Sequence, residues 1–400
     1  MTRPDRRRAV LTGLGAVSCL GAGVDAYGIG LLAGGAAPHD VDLPHMNMRA
    51  KRMYLTPPSA IPVEPVAHAG IPLGPAPRMA VAAAREALAD AGIGDGEAAR
   101  VPVVMGVEMG NASVQEEQRA SGGGTPRWTP LAVTAAVVAE AVGSRAGASG
   151  IGNACAAGGY ALGVALDMIR AGEADVVLVG GAEGVTRVGM AGFDRIRVTD
   201  PDRCRPFARD RAGTVFADGA AFAVLESADH AAARGAWPYA ELGAAVWSCD
   251  SYHHPTAPEP DGVQLVRAMR DALADAGVRP DQVGCVLPHA TGTLVNDAVE
   301  SRALRRVFAD VPDRPPVFAL KALIGHGSGT AGMFACLAGA LIASHGRIPA
   351  NAPVDQDPEC DVWLPQDGPL ALTRPAVLVN SCATGGINAS FVLSYAGGRA

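Results

Sequence analysis

"REALADAGI", residues 85–93, returns as "RDALADAGV" at residues 270–278. Both copies carry the apolar spacing of an amphipathic helix, and a short apolar run that reads as a strand follows each, "VPVVMG" at 101–106 and "CVLP" at 285–288. Farther on, "VVLVGG" at 176–181 has a counterpart in "AVLVNS" at 376–381. Two matched pairs in the same order favour a molecule built from two equivalent halves.

Helical periodicity also marks "GGYALGVALDMIRAGEA" (158–174), "NDAVESRALRRVFAD" (296–310) and "AGMFACLAGALIASHG" (331–346). Their alternation with Val/Leu-rich runs predicts α/β layering with strands buried on both faces. If the halves are equivalent, the turn and helix at "NACAAGG" (153–159) correspond to "KALIGHGSGTAG" (321–332) and the apolar helix after it. Cys155 and His326 then stand at the starts of two equivalent buried helices, and an active site is expected in the middle of the molecule.

Composition narrows the function classes. Four hundred residues, 49% apolar, can bury a large core as one large or two medium domains. With 50 glycines and 4% aromatics, compactness comes from small residues. A net charge of −7 without a Lys/Arg block argues against nucleic-acid binding, which rests on phosphate neutralisation. Eight cysteines without Cys-x-x-Cys spacing predict reduced thiols and a cytoplasmic protein, and nine histidines without a His-Glu-x-x-His pattern predict no metal. The start, "MTRPDRRRAVLTGLGAVSCLGAG", imitates a secretory signal, but Gly13, Gly15 and Gly21 interrupt it, and Ala9 to Thr12 read as a buried strand followed by a turn. No other apolar run approaches the roughly 18 to 20 residues of a membrane helix, so no membrane partner is expected.

Three segments carry chemistry-bearing side chains: "NACAAGG" with Cys155, "PHATGT" (288–293) with His289, and "KALIGHGSGTAG" with Lys321 and His326. Singly, each cysteine or histidine is more often a packed residue than a catalyst. Together they suggest nucleophilic chemistry. A thiolate is the reactive form of cysteine, and a helix N-terminus favours negative charge, so Cys155 is expected to ionise readily. Its small neighbours would leave room for a sharp turn and for substrate. Between these segments, "DRIRVTDPDRCRPFARDR" (194–211) gathers six arginines, including Arg195 and Arg197. It reads either as a solvated loop with local Asp partners or as a docking patch for an acidic partner.

Taken with "AVLTGLGAVSCLGAGVDAYGIGLLAG" (9–34), "RCRPFARDRAGTVFADGAAFAVLE" (203–226), "YAELGAAVWSCDSYHHPTAP" (239–258) and "NSCATGGINAS" (380–390), these motifs resemble β-ketoacyl synthases of the thiolase-like superfamily nearly end to end. The resemblance implies a duplicated five-layered α-β-α-β-α fold, with residues 1–237 as the half bearing the nucleophile and 238–400 as the half bearing two histidines. It implies a Cys155, His289, His326 triad, with Lys321 beside His326 and an oxyanion hole from the backbone N–H groups of Cys155 and Thr384. Thr291 and Thr293 would contact pantetheine or serve as turn hydroxyls; Gly385 would lie in the substrate loop, and Met109 and Phe193 would line the acyl tunnel or belong to the core. The implied reaction is decarboxylative condensation of a Cys-bound acyl chain with a malonyl-type thioester on acyl carrier protein. No cofactor is bound, since the substrate rides on the carrier's phosphopantetheine. Arg195 and Arg197 would dock the carrier. Residues 125–150 would form a dimer with an identical or a second synthase-like chain.

Several positions depart from the family pattern. Cys382 and Thr384 stand where two phenylalanines are usual, Ala335 where a glutamate would pair with Lys321, Ala290 for a glycine, Gly327 for a threonine and Ala208 for an aspartate. Lys321 must therefore find another partner, sit exposed or titrate unusually. The departures suggest a specialised synthase of secondary metabolism. They also leave open a non-condensing acyltransferase, a chain-length-setting partner subunit, and a thiolase-like activity using Cys382.

Overall fold

The computed structural model describes residues 6–43, 46–122, 129–254 and 256–395. In the first half lie β1 (Ala9–Ser18), α1 (Pro75–Asp90), β2 (Val103–Gly106), α2 (Ala132–Ala141), β3 (Ala148–Ile151), α3 (Ala157–Ala171), β4 (Val176–Glu183), α4 (Arg187–Arg195) and β5 (Gly219–Ser227). The second half holds β6 (Ala240–Cys249), α5 (Val263–Ala276), β7 (Val283–Leu287), α6 (Leu294–Val307), α7 (Ala331–His345), β8 (Ala376–Ala383) and β9 (Ile387–Ser394).

The sheet pairing shows the duplication directly. In the first half the order is β3-β2-β4-β5-β1, with β2 parallel to both neighbours and the β4–β5 and β5–β1 pairs antiparallel. The second half repeats this as β7-β8-β9-β6, parallel at β7–β8 and antiparallel at the next two pairs. A parallel bridge from Val286 to Val317 occupies the place that β3 holds in the first half. The two sheets meet edge to edge where Val10 and Leu11 of β1 pair with Glu241 and Ala240 of β6.

Five layers follow from which faces are apolar. α3 and α7 pack between the sheets in one core with Leu11, Val177 and Leu225 from one side and Leu242, Val377 and Phe391 from the other. α1 and α2 cover the outer face of the first sheet, and α5 and α6 that of the second. A helix apolar on all sides belongs in such a middle layer. Residues 328–345 are accordingly long and apolar enough to cross a membrane, yet 89% of that window is buried inside the protein. This corrects the expectation that no run outside the N-terminus reaches such a length.

β1 also differs from expectation. Instead of turning after Thr12, the strand runs ten residues through Gly13 and Gly15, buried throughout. A Cβ on Gly13 would stand 2.1 Å from the Ala87 carbonyl oxygen, and one on Gly15 2.0 Å from that of Ala83. These glycines let α1 lie directly on the strand.

Candidate active site

Cys155 sits on a single 3₁₀ turn, Ala154–Ala156, that runs into α3. Ala154 takes a φ of 47°, a left-handed conformation costly for a residue with a Cβ, at the sharp turn from β3 into α3. The twin turn, Ser328–Thr330, leads into α7 in the same way. The two helix starts touch backbone to backbone: a Cβ on Gly332 would lie 2.6 Å from the Gly159 nitrogen. The small residues after Cys155 thus serve contact with the twin helix as well as the turn.

His289 follows β7, and its peptide N–H donates to Glu300 Oε1 at 2.7 Å, while that of Ala290 donates to Oε2 at 2.8 Å. Glu300 also accepts from Asn380 Nδ2 at 3.0 Å, so α6 and β8 are both tied to this loop. Asp297, one helical turn earlier, accepts from the Phe207 and Gly292 nitrogens at 2.8 and 3.1 Å. The sequence reading missed both carboxylates. Their Asp-x-x-Glu spacing, which puts them on one helix face just after "PHATGT", was the available signal.

The imidazole of His289 accepts at Nδ1 from the Cys382 N–H at 3.1 Å, which leaves the proton on Nε2. His326 lies edge-on to it, with ring centroids 5.3 Å apart, and stacks on Phe216 at 5.4 Å. Burial, with the Lys321 charge, holds both histidines well below the ordinary imidazole range, so both are neutral donors.

Lys321 is buried and donates to the His289 carbonyl oxygen, with His289 Nδ1 at 3.4 Å. Burial lowers its pKa while the Glu300 charge raises it. Ala335 is also buried, and the field of Glu300 takes the role open at that position.

One expectation is overturned. The Cys155 thiol is held well above its usual range, chiefly by burial and then by the Glu108 charge, with Lys321 opposing. With Cys155 only 4% exposed, loss of hydration outweighs what the helix start supplies, and its side chain rests as a thiol.

Cys155, His289 and His326 open on one cavity of about 390 Å³, together with Thr291, Thr293, Cys382, Thr384 and Gly385. The hydroxyls of Thr291 and Thr293 lie 2.9 Å apart at its side. Phe193 reaches the same cavity, its ring 4.6 Å from Phe216, whereas Met109 lies in an adjoining cleft of about 20 Å³ with Met53, Met190 and Phe193. Arg197 lines the cavity and, with Arg195, a neighbouring surface depression; both are exposed, and neither forms an ion pair among the described residues. Of the expected dimer segment, residues 125–128 lie outside the described residues; the rest contains α2 and most of the exposed edge strand β3.

The duplicated fold, with a cysteine and two neutral histidines around one cavity, defines a condensing enzyme of the thiolase-like class. The chain belongs to the β-ketoacyl synthase family: residues 6–231 match the family's N-terminal domain and residues 239–355 its C-terminal domain. It is an acyltransferase of the 3-oxoacyl synthase type. Among its relatives, 3-oxoacyl-[acyl-carrier-protein] synthase 2 of Synechocystis is 30% identical over 97% of this chain and 98% of its own. The tetracenomycin polyketide synthase ketoacyl synthase alpha subunit of Streptomyces glaucescens is 33% identical over 90% and 91%. Among solved structures, the ishigamide ketosynthase/chain length factor superposes with a TM-score of 0.88 at 34% identity, covering 97% of this chain and 99% of that one.

Proposed function

We propose that Cys155 takes an acyl chain from the phosphopantetheine thioester of an acyl carrier protein and condenses it with a malonyl-type carrier thioester. Loss of CO₂ from the malonyl group leaves an enolate, whose carbon attacks the acyl-Cys155 carbonyl. A C–C bond forms, the bond to Sγ breaks, and the released Cys155 thiolate takes a proton from water, the one proton the reaction consumes. His289 and His326 donate their Nε2–H groups to the enolate oxygen, and the backbone N–H groups of Cys155 and Thr384 receive the tetrahedral oxyanion. Neutral donors in a dry cavity favour developing negative charge over the ground state. Thr291 and Thr293 bond the pantetheine amides, Gly385 borders that arm, and Phe193 with Met109 meets the acyl chain.

The observation that carries this reading is the shared cavity onto which the Cys155 thiol and the neutral imidazoles of His289 and His326 all open, with the His289 proton held on Nε2 by the Cys382 N–H. A carrier-borne substrate is supported by the named carrier of the Synechocystis relative and by Arg197 at the cavity and Arg195 in the depression beside it, neither of which forms an ion pair among the described residues. A specialised polyketide role is supported by the polyketide relative and by Cys382 at the end of β8 and Thr384 in the turn after it. A dimer, with an identical chain or a second synthase-like chain, is supported by the exposed edge of β3 and by the ketosynthase/chain length factor pairing in the name of the similar structure. Eight unpaired thiols suit a cytoplasmic setting.

Incubation with acyl- and malonyl-carrier protein tests the reaction. CO₂ release with a β-ketoacyl product is expected, and His289→Ala should lower that rate by about 10²- to 10³-fold, the usual loss for one oxyanion donor. Acyl transfer without CO₂ or C–C product would overturn the condensation.

A further inference from the structure

The thiol of Cys155 donates to Glu108 Oε2 at 3.7 Å, and among the described residues this is the side-chain hydrogen bond its sulfur makes. Glu108 follows β2 on a loop fixed from below: the carboxylate of Glu183 on β4 accepts from the Glu108 nitrogen, from Met109 N at 3.0 Å and from Gly110 N at 3.2 Å. Ser328, on the turn that begins α7, hydrogen-bonds the Glu108 side chain. A carboxylate held from two sides against a buried thiol is arranged to take its proton.

We propose that Glu108 is the general base of acyl loading. As Sγ attacks the thioester carbonyl of the incoming substrate, its proton passes to Glu108 Oε2. Collapse of the tetrahedral adduct breaks the bond to the pantetheine sulfur, and Glu108 returns the proton to that departing thiolate. One C–S bond forms, one breaks, and no net proton leaves the site.

The other groups near the sulfur are poor candidates for this step. His289 Nδ1 already accepts from Cys382, both imidazoles are depressed in basicity by burial and by Lys321, and Lys321 is a donor. The titratable groups facing the pair are Glu183, pushed up to about 8 mainly by burial and further by the Glu108 charge, and Lys321, whose charge favours the thiolate. Burial raises Glu108 above the ordinary carboxylate range, which brings its basicity toward that of the thiol.

The inference rests on Cys155 being the acylated nucleophile. Single-turnover loading from an acyl thioester, followed by intact mass across pH, tests it. Wild-type loading should fall as acid protonates Glu108. Glu108→Gln should load about 10²-fold more slowly at neutral pH and lose the acid limb, and Glu108→Asp should regain part of the rate and the limb. Loading by Glu108→Gln at the wild-type rate, or with the acid limb intact, would overturn the role. Should that variant fail to fold, a wild-type profile with no acid limb would overturn it equally. Malonyl decarboxylation by the wild-type protein separates the two readings: if it proceeds while Glu108 proves idle, the base assignment falls and the condensing reaction stands.

Discussion

Lys321 connects the two imidazoles to the carboxylate behind them. Its charge lowers the proton affinity of both His289 and His326, and it caps the His289 carbonyl oxygen. Replacing it with methionine keeps the length and removes the cation. Both histidines should then bind protons more readily, so the acid limb of malonyl decarboxylation should move to higher pH; an unmoved limb would show that burial alone fixes the neutral rings. The same variant leaves the buried His289 carbonyl without its donor, a cost of about 1–3 kcal/mol readable in denaturant unfolding. Stability should also depend on pH in a definite sense. Both histidines are depressed in the folded state, so unfolding takes up protons below the free imidazole value near 6.5, and the contribution is present above that pH and lost as pH falls.

At the scale of elements, the duplicated helices were legible because a repeated apolar period survives in the letters: 85–93 lies in α1 and its following turn, and 270–278 does the same for α5, each on the outer face of its own sheet. The pairing of the Cys155 turn with the His326 turn was legible for the same reason. Glu300 and Asp297 were not, because a carboxylate on a helix looks solvated until tertiary contacts bury it. Glu108 was hidden too, because a carboxylate on a loop also looks solvated until tertiary contacts bury it. The glycines were seen but partly misread, as at Gly13 and Gly15, because close approach is a property of two segments and the sequence displays one at a time. Gly332 makes this testable. Gly332→Ala drives a methyl against the Gly159 nitrogen and Ser381 Oγ, 2.6 and 2.9 Å from an ideal Cβ, so the start of α3 must shift. Overpacking of this kind costs about 1–3 kcal/mol, and acyl loading of Cys155 should fall along with the melting temperature. A variant of unchanged stability would mean that the two helix starts are not held in contact.

In the whole molecule, the first half supplies the thiol and the second both imidazoles, and the seam between α3 and α7 brings them to one cavity. Neither half alone brings the three side chains together. The net charge of −7 repels an acidic partner at long range, so any attraction toward an acidic carrier must be local. Arg195 and Arg197 supply such a region, at a depression that shares Arg197 and Ala212 with the cavity wall. Exposed charges are screened over about 8 Å at physiological salt, so this steering should weaken as salt rises. Reversing both residues to glutamate should therefore impair carrier-linked substrates far more than a small acyl thioester that needs no docking, and should flatten the salt dependence of the carrier reaction. Comparing kcat/KM for the two substrate types at low and high salt decides it. Equal losses on both would mean that the arginines support the cavity wall and that the carrier docks elsewhere.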